Sequence, residues 1–501
     1  MRLSELAEHQ PHTRRGPSLD PEIRSVTHDS RRAGPGILFA AFRGLAQDGR
    51  AFLQDAAQRG AVAALGPAPA PAPLTIPYLE VDDPRKTAGL FAARLAGEPA
   101  EQLVMIGVTG TSGKTTTSLL IDRVVSDGHA RTGLFGTLTY RGAGGDTAAI
   151  VASRTTPEAT DLQPLLASLV AEGGTAAVLE CSSHALVLER LVGCRFDVAL
   201  FLNLSRDHLD FHRDLDDYFE AKARLFDLLK PGGRAVINLD DAWGRRLAAR
   251  LPRTRVVGFS LDAAPGADVA GELLASAGCR IRVRAGERSF EISSPLLGRP
   301  NAENLLAAAA TGIVLGIPSA RIAAALASLR TVPGRLEPVS NGLGLTLLVD
   351  YAHKPGALEG VLRTVRTLAS ENGGRVILVF GCGGDRDRGK RGEMGRIAAQ
   401  LADETVLTSD NPRSEDPLAI LAEIRAGYES VGRVPRLEAN RRAAIAEALG
   451  LARKGDVVLV AGKGHETYQE AAGQRTPFDD RVVAAELAAR LASRETGERA
   501  R

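Results

Sequence analysis

Met105-Ile106-Gly107-Val108-Thr109-Gly110-Thr111-Ser112-Gly113-Lys114-Thr115-Thr116-Thr117 is the stretch from which the fold of this chain can be read. The apolar run Leu103 to Val108 predicts a buried strand and Gly110 to Gly113 a turn. The periodic residues Leu119, Leu120 and Val124 predict a helix that opens at Lys114 and stops near Gly128. A strand, a glycine-bearing loop and a helix in that order suit phosphate. Glycines let backbone N–H groups crowd an anion, the helix N-terminus adds partial positive charge, Lys114 adds a full one, and Thr115 offers a hydroxyl to Mg²⁺. The spacing is a variant, because G-x-x-x-x-G-K-[ST] would put its first glycine at Val108. A plain glycine-rich turn with a surface lysine is the alternative, and the chemistry favours a nucleoside triphosphate.

With 501 residues the chain has room for roughly three domains of about 100 to 200 residues each. Lys and Arg number 62 against 60 Asp and Glu, so no strong net field recommends nucleic acid or an anionic membrane as partner. Cys181, Cys194, Cys279 and Cys382 are widely spaced and form no C-x-x-C pair, which suits a reducing cytoplasm. No charged-then-apolar leader opens the chain and no apolar run approaches the roughly 18 to 20 residues of a membrane span, so a soluble cytoplasmic protein is expected.

Residues 1–100 carry short strand and turn signals and an Ala/Pro tract from Gly66 to Pro73. Thr27-His28-Asp29-Ser30-Arg31-Arg32 there could hold a small polar ligand or form a simple Asx-type turn. Residues 101–335 alternate strand and helix, with strands expected at Ala176 to Leu179, Phe196 to Leu202 and Ala235 to Asn238. That predicts a parallel sheet whose carboxyl edge gathers ligands. Glu180 and Asn203 end two of these strands, which would bring Glu180-Cys181-Ser182-Ser183-His184 and the segment Asn203 to His212 beside the phosphate loop. Residues 336–501 repeat the alternation as a Rossmann-like domain. Its strand ends carry Asp350-Tyr351-Ala352-His353-Lys354-Pro355, Gly381 to Arg391, Ser409 to Arg413 and Gly462 to Glu466.

Glu180 and His208 are either hydrogen-bonded strand-end groups or ligands completing a Mg²⁺ site begun by Thr115. Asp217 to Leu229 reads as a helix with Tyr218, Lys222, Leu225, Phe226 and Leu229 on one face. Lys222 on that stripe either snorkels to water or is buried with a lowered pKa and a reactive amine. Asp410-Asn411-Pro412-Arg413 supplies a bidentate cation beside a rigid turn and Glu466 the opposite sign. The two either grip a ligand bearing carboxylate and ammonium or pair with each other. The run Asp385 to Arg391 reads by default as a solvated charged loop.

In this order and across essentially the whole chain, these motifs resemble the Mur ligases of peptidoglycan synthesis. They are most similar to the branch that adds the third amino acid to UDP-N-acetylmuramoyl-L-alanyl-D-glutamate. Gly110, Thr111, Ser112, Gly113, Lys114, Thr115 and Thr116 look like that family's phosphate loop, which accounts for the variant spacing. Gly298 to Asn304, including Asn301, resembles its adenine-side segment, with Pro300 where an aromatic is common. Arg335 and Asp350 look like its ribose and phosphate contacts. The resemblance implies that Ser30, Thr155, Thr156, Ser182 and Arg190 hold the UDP-muramoyl dipeptide, with Leu188 where relatives often carry glutamine. Lys222 matches a lysine that carries a CO₂-derived carbamate. Arg386, Asp410, Asn411, Pro412, Arg413, Gly462 and Glu466 match the contacts of the branch that adds meso-diaminopimelate.

The implied fold is α/β in three domains: a small UDP-binding N-terminal domain, a central P-loop-type ATPase domain with a mostly parallel sheet, and a C-terminal Rossmann-like domain that binds the amino acid. The implied reaction is ATP-dependent amide formation through an acyl phosphate. Lys114 would grip the phosphates, while Thr115, Glu180, His208 and carbamylated Lys222 arrange Mg²⁺. A cytoplasmic monomer whose last domain closes on the middle one when ATP binds is the corresponding expectation.

Overall fold

The computed structural model describes residues 1–44, 47–126, 131–142, 150–152, 154–276 and 278–499. Three large sheets, each with its own packed core, follow one another along the chain, and Tyr468–Ala471 and Gln474–Pro477 add a two-stranded ribbon. In the first, Thr13–Arg15, Tyr78–Glu80, Ala63–Gly66, Ile37–Ala40 and Ser25–Thr27 lie side by side in that order. Helix Pro84–Leu95 covers the sheet through Ala88, Phe91 and Ala92.

The central sheet has 11 strands. Its middle runs parallel from Val269–Ala275 through Val256–Ser260, Leu229–Asn238, Phe196–Phe201, Val104–Thr109 and Ala176–Glu180 to Thr132–Phe135, and antiparallel strands close both edges. Met105 to Thr109 of strand Val104–Thr109 are buried at the middle of the sheet, between Ala176–Glu180 and Phe196–Phe201. Glu180 pairs with Val108 and Phe201 with Thr109, so three neighbouring strands end at one level, and the segments that follow them share one edge.

Helix Lys114–Ser126 buries Leu120, Ile121 and Val124 against Ala-rich helix Arg299–Val314. Each of these side chains contributes about 1.5 to 3 kcal/mol through burial. The expected helix end near Gly128 lies outside the described residues. The helix around Lys222 spans Leu215–Asp227, two residues shorter at its C-terminal end than the sequence pattern predicts. Leu229 instead opens strand Leu229–Asn238 opposite Phe196, because pairing across the sheet overrides helical propensity there.

In the third sheet the order is Glu337–Pro338, Thr346–Asp350, Val457–Ala461, Val376–Phe380, Glu404–Leu407 and Arg436–Leu437, all parallel after the first. Its carboxyl edge carries Tyr351 to Lys354, Gly462 to Glu466, Gly381 to Gly384 and Thr408 to Arg413. No described helix is long and apolar enough to cross a membrane.

Candidate functional site

The phosphate loop takes its shape from contacts across the sheet edge. Asn203 Oδ1 accepts the Ser112 N–H at 2.9 Å, and Thr111 Oγ1 accepts the Ser205 N–H at 3.1 Å. The Thr111 side chain therefore braces the segment before His208 from within. Gly113 sits at φ +85°, and a Cβ there would come within 2.4 Å of Asn304 Oδ1. That oxygen accepts the Thr117 hydroxyl at 3.1 Å, so moving it aside would strain or break that bond. Gly113→Ala is expected to cost about 1 to 3 kcal/mol in strain and to weaken nucleotide binding. Thermal melting and calorimetric titration with ADP check this, and wild-type values in both would refute it.

Lys114 Nζ donates to Gly110 O at 2.8 Å and to Thr111 O at 3.3 Å. Burial, with Lys354 nearby, pushes its pKa down to about 8. Thr115 Oγ1 donates to Glu180 Oε2 at 3.1 Å, and Glu180 also receives the N–H and hydroxyl of Thr137 at 2.8 and 3.0 Å. Lys114, Thr115, Glu180, Thr155, Ser182 and His208 line a cavity of about 180 Å³. Lys222 stands behind the loop rather than on the cavity wall. It is 1% exposed, donates to Gly110 O at 2.9 Å, and lies 4.4 Å above the Tyr218 ring. It does not snorkel. Burial, reinforced by the charges of Lys114 and Lys354, pushes its pKa well below the usual lysine value.

Among the described residues no group of three or more His, Cys, Asp or Glu forms a ready-made metal cage. The Thr115 hydroxyl, the Glu180 carboxylate and the His208 imidazole beside a phosphate cradle suit Mg²⁺, which takes few protein ligands and completes its shell with phosphate oxygens and water.

A second cavity, about 170 Å³, opens from the first and shares Ser112, Gly113, Thr115 and Arg335 with it. Pro300, Asn301, Asn304 and Asp350 line it. Asn301 is fixed by donation to Leu297 O at 2.8 Å. Asp350 is committed to the backbone, accepting the N–H groups of Leu336 and Ala352 at 2.7 Å each, and burial raises its pKa. Arg335 lies 4.7 Å over the Tyr351 ring, and its buried Nε has no hydrogen-bond partner, which leaves a donor for a ligand.

The third cavity, about 610 Å³, opens between the central and last sheets and shares His208, Tyr351, His353 and Lys354 with the phosphate cavity. Lys354 pairs with Asp207 across this boundary. Burial works against the Asp207 charge, yet Lys354 and His208 hold its carboxyl well below the usual range. Arg386, Asp410, Asn411, Arg413, Gly462 and Glu466 line the far wall. Gly462 is at φ +114°, and a Cβ there would meet Asp410 Oδ2 at 2.6 Å. Pro412 leads into Arg413, whose φ of +53° is held by backbone bonds to Glu470 O and from Ala472 N at 3.0 and 2.6 Å. Arg413 and Glu466 do not pair with each other. Arg413 Nη1 donates to Gly384 O at 2.7 Å, while Glu466 accepts from Lys463 and Asn411.

A fourth cavity, about 770 Å³, joins His28, Asp29, Ser30, Arg31 and Phe42 of the first sheet region to Arg154 and Glu158 of the second. Asp29 does form the Asx-type turn, accepting Arg31 N–H at 3.0 Å, and the turn faces this cavity. His28 stacks on Phe42, with ring centroids 5.7 Å apart. Buried Glu158 gathers Arg85, Arg154 and Arg190. Thr156 donates to Glu180 O at 2.6 Å and contacts Ser182, linking this region to the phosphate cavity.

One expectation needs correction and several residues went unread. The run Asp385 to Arg391 is not simply a solvated loop. Arg391 is 0% exposed and forked onto Glu415 and Glu423, because Lys390 opens helix Lys390–Leu401 and turns the next side chain inward. Lys354 and Lys463 stand within strand-end runs that the sequence marks as polar, but carried no assigned role there, and Arg441 lies outside those runs. Arg441 bonds Asp480 through two nitrogens and also donates to Ser409 O and Ala461 O, the residues before Asp410 and Gly462. Within the quoted sequence only the position of Lys463 between two glycines hinted at a role.

The models for the Mur ligase middle domain, the Mur ligase glutamate ligase domain and the Mur ligase family catalytic domain match residues 108–312, 334–464 and 22–94. A UDP-N-acetylmuramoyl-L-alanyl-D-glutamate--2,6-diaminopimelate ligase from Solibacter usitatus is 44% identical over 470 residues, 93% of each chain. The protein of the same description from Streptomyces avermitilis is 47% identical over 480 residues, 93% of this chain and 92% of its own. A solved structure with that description is 34% identical, covers 97% of this chain and 98% of its own, and superposes with a TM-score of 0.67.

Proposed function

The chain belongs to the Mur ligase family, and from that premise we propose that it joins meso-2,6-diaminopimelate to the D-glutamate of UDP-N-acetylmuramoyl-L-alanyl-D-glutamate at the expense of ATP, in the cytoplasm. The observation that carries this reading is the junction of cavities. The cleft lined by Asn301, Asn304 and Asp350, the phosphate loop and the cleft walled by Arg413 and Glu466 open into one another, with Lys354 bordering the last two.

In the proposed reaction the D-glutamyl side-chain carboxylate attacks the γ-phosphorus of ATP, forming an acyl phosphate and releasing ADP. The amine of the acceptor then attacks the acyl carbon, phosphate leaves with the C–O bonding pair, and the amine proton passes to solvent. Residues 1–100 hold the nucleotide end of the dipeptide, 101–335 hold ATP, and 336–501 hold the acceptor. Ser30 contacts the uridine side, and Thr155, Thr156, Ser182 and Arg190 lead the peptide toward the loop. Lys114 neutralises the β- and γ-phosphates. Its inward bonds to Gly110 and Thr111 carbonyls are ones an entering phosphate would exchange for stronger charge-assisted bonds.

Thr115, Glu180 and His208 would hold Mg²⁺, with Lys222 contributing through a carbamate. When bound, the metal supplies charge neutralisation on the transferring phosphoryl group. Burial disfavours the ammonium form of Lys222 and so favours the neutral amine, the form that adds CO₂, which supports that assignment. Arg413 and Arg386 take the distal carboxylate of the acceptor and Glu466 its ammonium.

ADP release by purified protein tests the reading. Activity should require the UDP dipeptide and an amine together, with diaminopimelate preferred to L-lysine. Preference for lysine would overturn the acceptor assignment, and ADP release indifferent to both substrates would overturn the ligase.

A further inference from the structure

We propose that Lys463, outside the cleft wall, sets acceptor specificity by locking Asn411 and Glu466 in place; this rests on assigning that cleft to the amino-acid acceptor. Lys463 is 0% exposed, and a buried ammonium persists only where partners compensate it. It donates to Glu466 Oε2 at 3.0 Å and to Asn411 Oδ1 at 3.1 Å, with the Tyr468 ring 5.6 Å away. These bonds determine which way the Asn411 amide faces. Oδ1 also receives the Glu470 N–H at 2.9 Å, and because an ammonium and a backbone N–H can only donate, both must meet the oxygen. Nδ2 is thereby turned onto Glu466 Oε2 at 2.7 Å. With Oε2 occupied by both donors, Oε1 is the oxygen left for a ligand.

Asn411, Glu466 and Tyr468 line the cleft, whereas Lys463 reaches a ligand only through them and is a positioning residue. Its charge offsets that of Glu466 while Arg413 and Arg386 remain cationic on the same wall. That balance favours an acceptor end carrying ammonium and carboxylate together over one carrying ammonium alone. Removing the Lys463 charge makes the wall more negative by one unit and shifts preference toward the simple cation.

Initial rates of ADP release with diaminopimelate and with L-lysine, and with ATP varied separately, test this in Lys463→Met, Lys463→Gln, Glu466→Gln and the Lys463→Met/Glu466→Gln double variant. Lys463→Met should raise KM for diaminopimelate about tenfold, the scale of one charge-assisted hydrogen bond, and leave KM for ATP within about twofold. The kcat/KM ratio of diaminopimelate to lysine should fall. In the Glu466→Gln background the same change should cost less than it does alone, because its charge-assisted bond to that carboxylate is already lost and only the bond to Asn411 remains. An unchanged KM for diaminopimelate, equal losses toward acceptor and ATP, or fully additive effects would overturn the inference. Should the methionine variant fail to fold, Lys463→Gln, which keeps a donor but no charge, decides the matter, and unchanged acceptor preference in it counts against the inference. A wild type inactive with diaminopimelate would overturn the acceptor assignment together with this inference. An active wild type with unaffected Lys463 variants would overturn the inference alone.

Discussion

Replacing Lys222 by alanine is expected to lower kcat by about 10²- to 10³-fold, the scale on which removal of one transition-state charge partner is felt. A short carboxylic acid added to the assay should partly restore the rate. The residue sits in helix Leu215–Asp227 with its nitrogen on the carbonyl of Gly110, the first glycine of the loop. Truncation removes a nitrogen from a fully enclosed site, and the vacated volume can admit a small carboxylate in place of the carbamate. Tyr218, Leu225 and Phe226, on the same helix face, keep the helix anchored, so a folded protein is expected. A fully active alanine variant would dispose of the carbamate assignment. A folded but inactive variant that no carboxylate rescues would leave the lysine with a structural task only.

Arg413→Ala should raise KM for diaminopimelate by about 30-fold or more, corresponding to about 2 to 5 kcal/mol for truncating one partner of a hydrogen-bonded charge pair. KM for ATP should stay near its wild-type value. The guanidinium is aimed by its surroundings: Pro412 precedes it, a left-handed backbone conformation is fixed by bonds to Glu470 and Ala472, and Nη1 rests on Gly384 O. Alanine tolerates that backbone no worse than arginine does, so the change isolates the side chain. Comparable increases in KM for both substrates would mean that Arg413 braces the turn Gly381 to Gly384 rather than binding a carboxylate. Steady-state rates with each substrate varied in turn separate the two outcomes.

The motifs legible from sequence were those written within a few residues. The run Leu103 to Val108 followed by Gly110 and Lys114 announced a strand, loop and helix, and the polar residues after each apolar run announced strand ends. Lys222 stood out because a charge on an apolar helical stripe violates the local pattern. Arg391 carried no such signal. Inside a run of alternating charges, one arginine looks like another until the turn into helix Lys390–Leu401 selects which one faces Glu415 and Glu423. The choice between an Arg413–Glu466 pair and two separate ligand groups was equally closed to sequence reading, since Lys463 and Asn411 had first claimed Glu466 in three dimensions.

By itself, then, the sequence determined the phosphate loop, the alternating strands and helices, and the chemical types gathered at their ends, because helical and strand periodicity and turn chemistry act over only a few bonds. Tertiary structure alone decided which charges meet. It put Lys354 on Asp207 across the boundary between two sheets, Arg441 beneath the strand ends at Ser409 and Ala461, and Lys463 behind Asn411 and Glu466. The physical reason is that the energy of a buried charge depends on the partners that packing brings within about 3 Å, and apart from the local Lys463–Glu466 pair those partners come from distant parts of the chain.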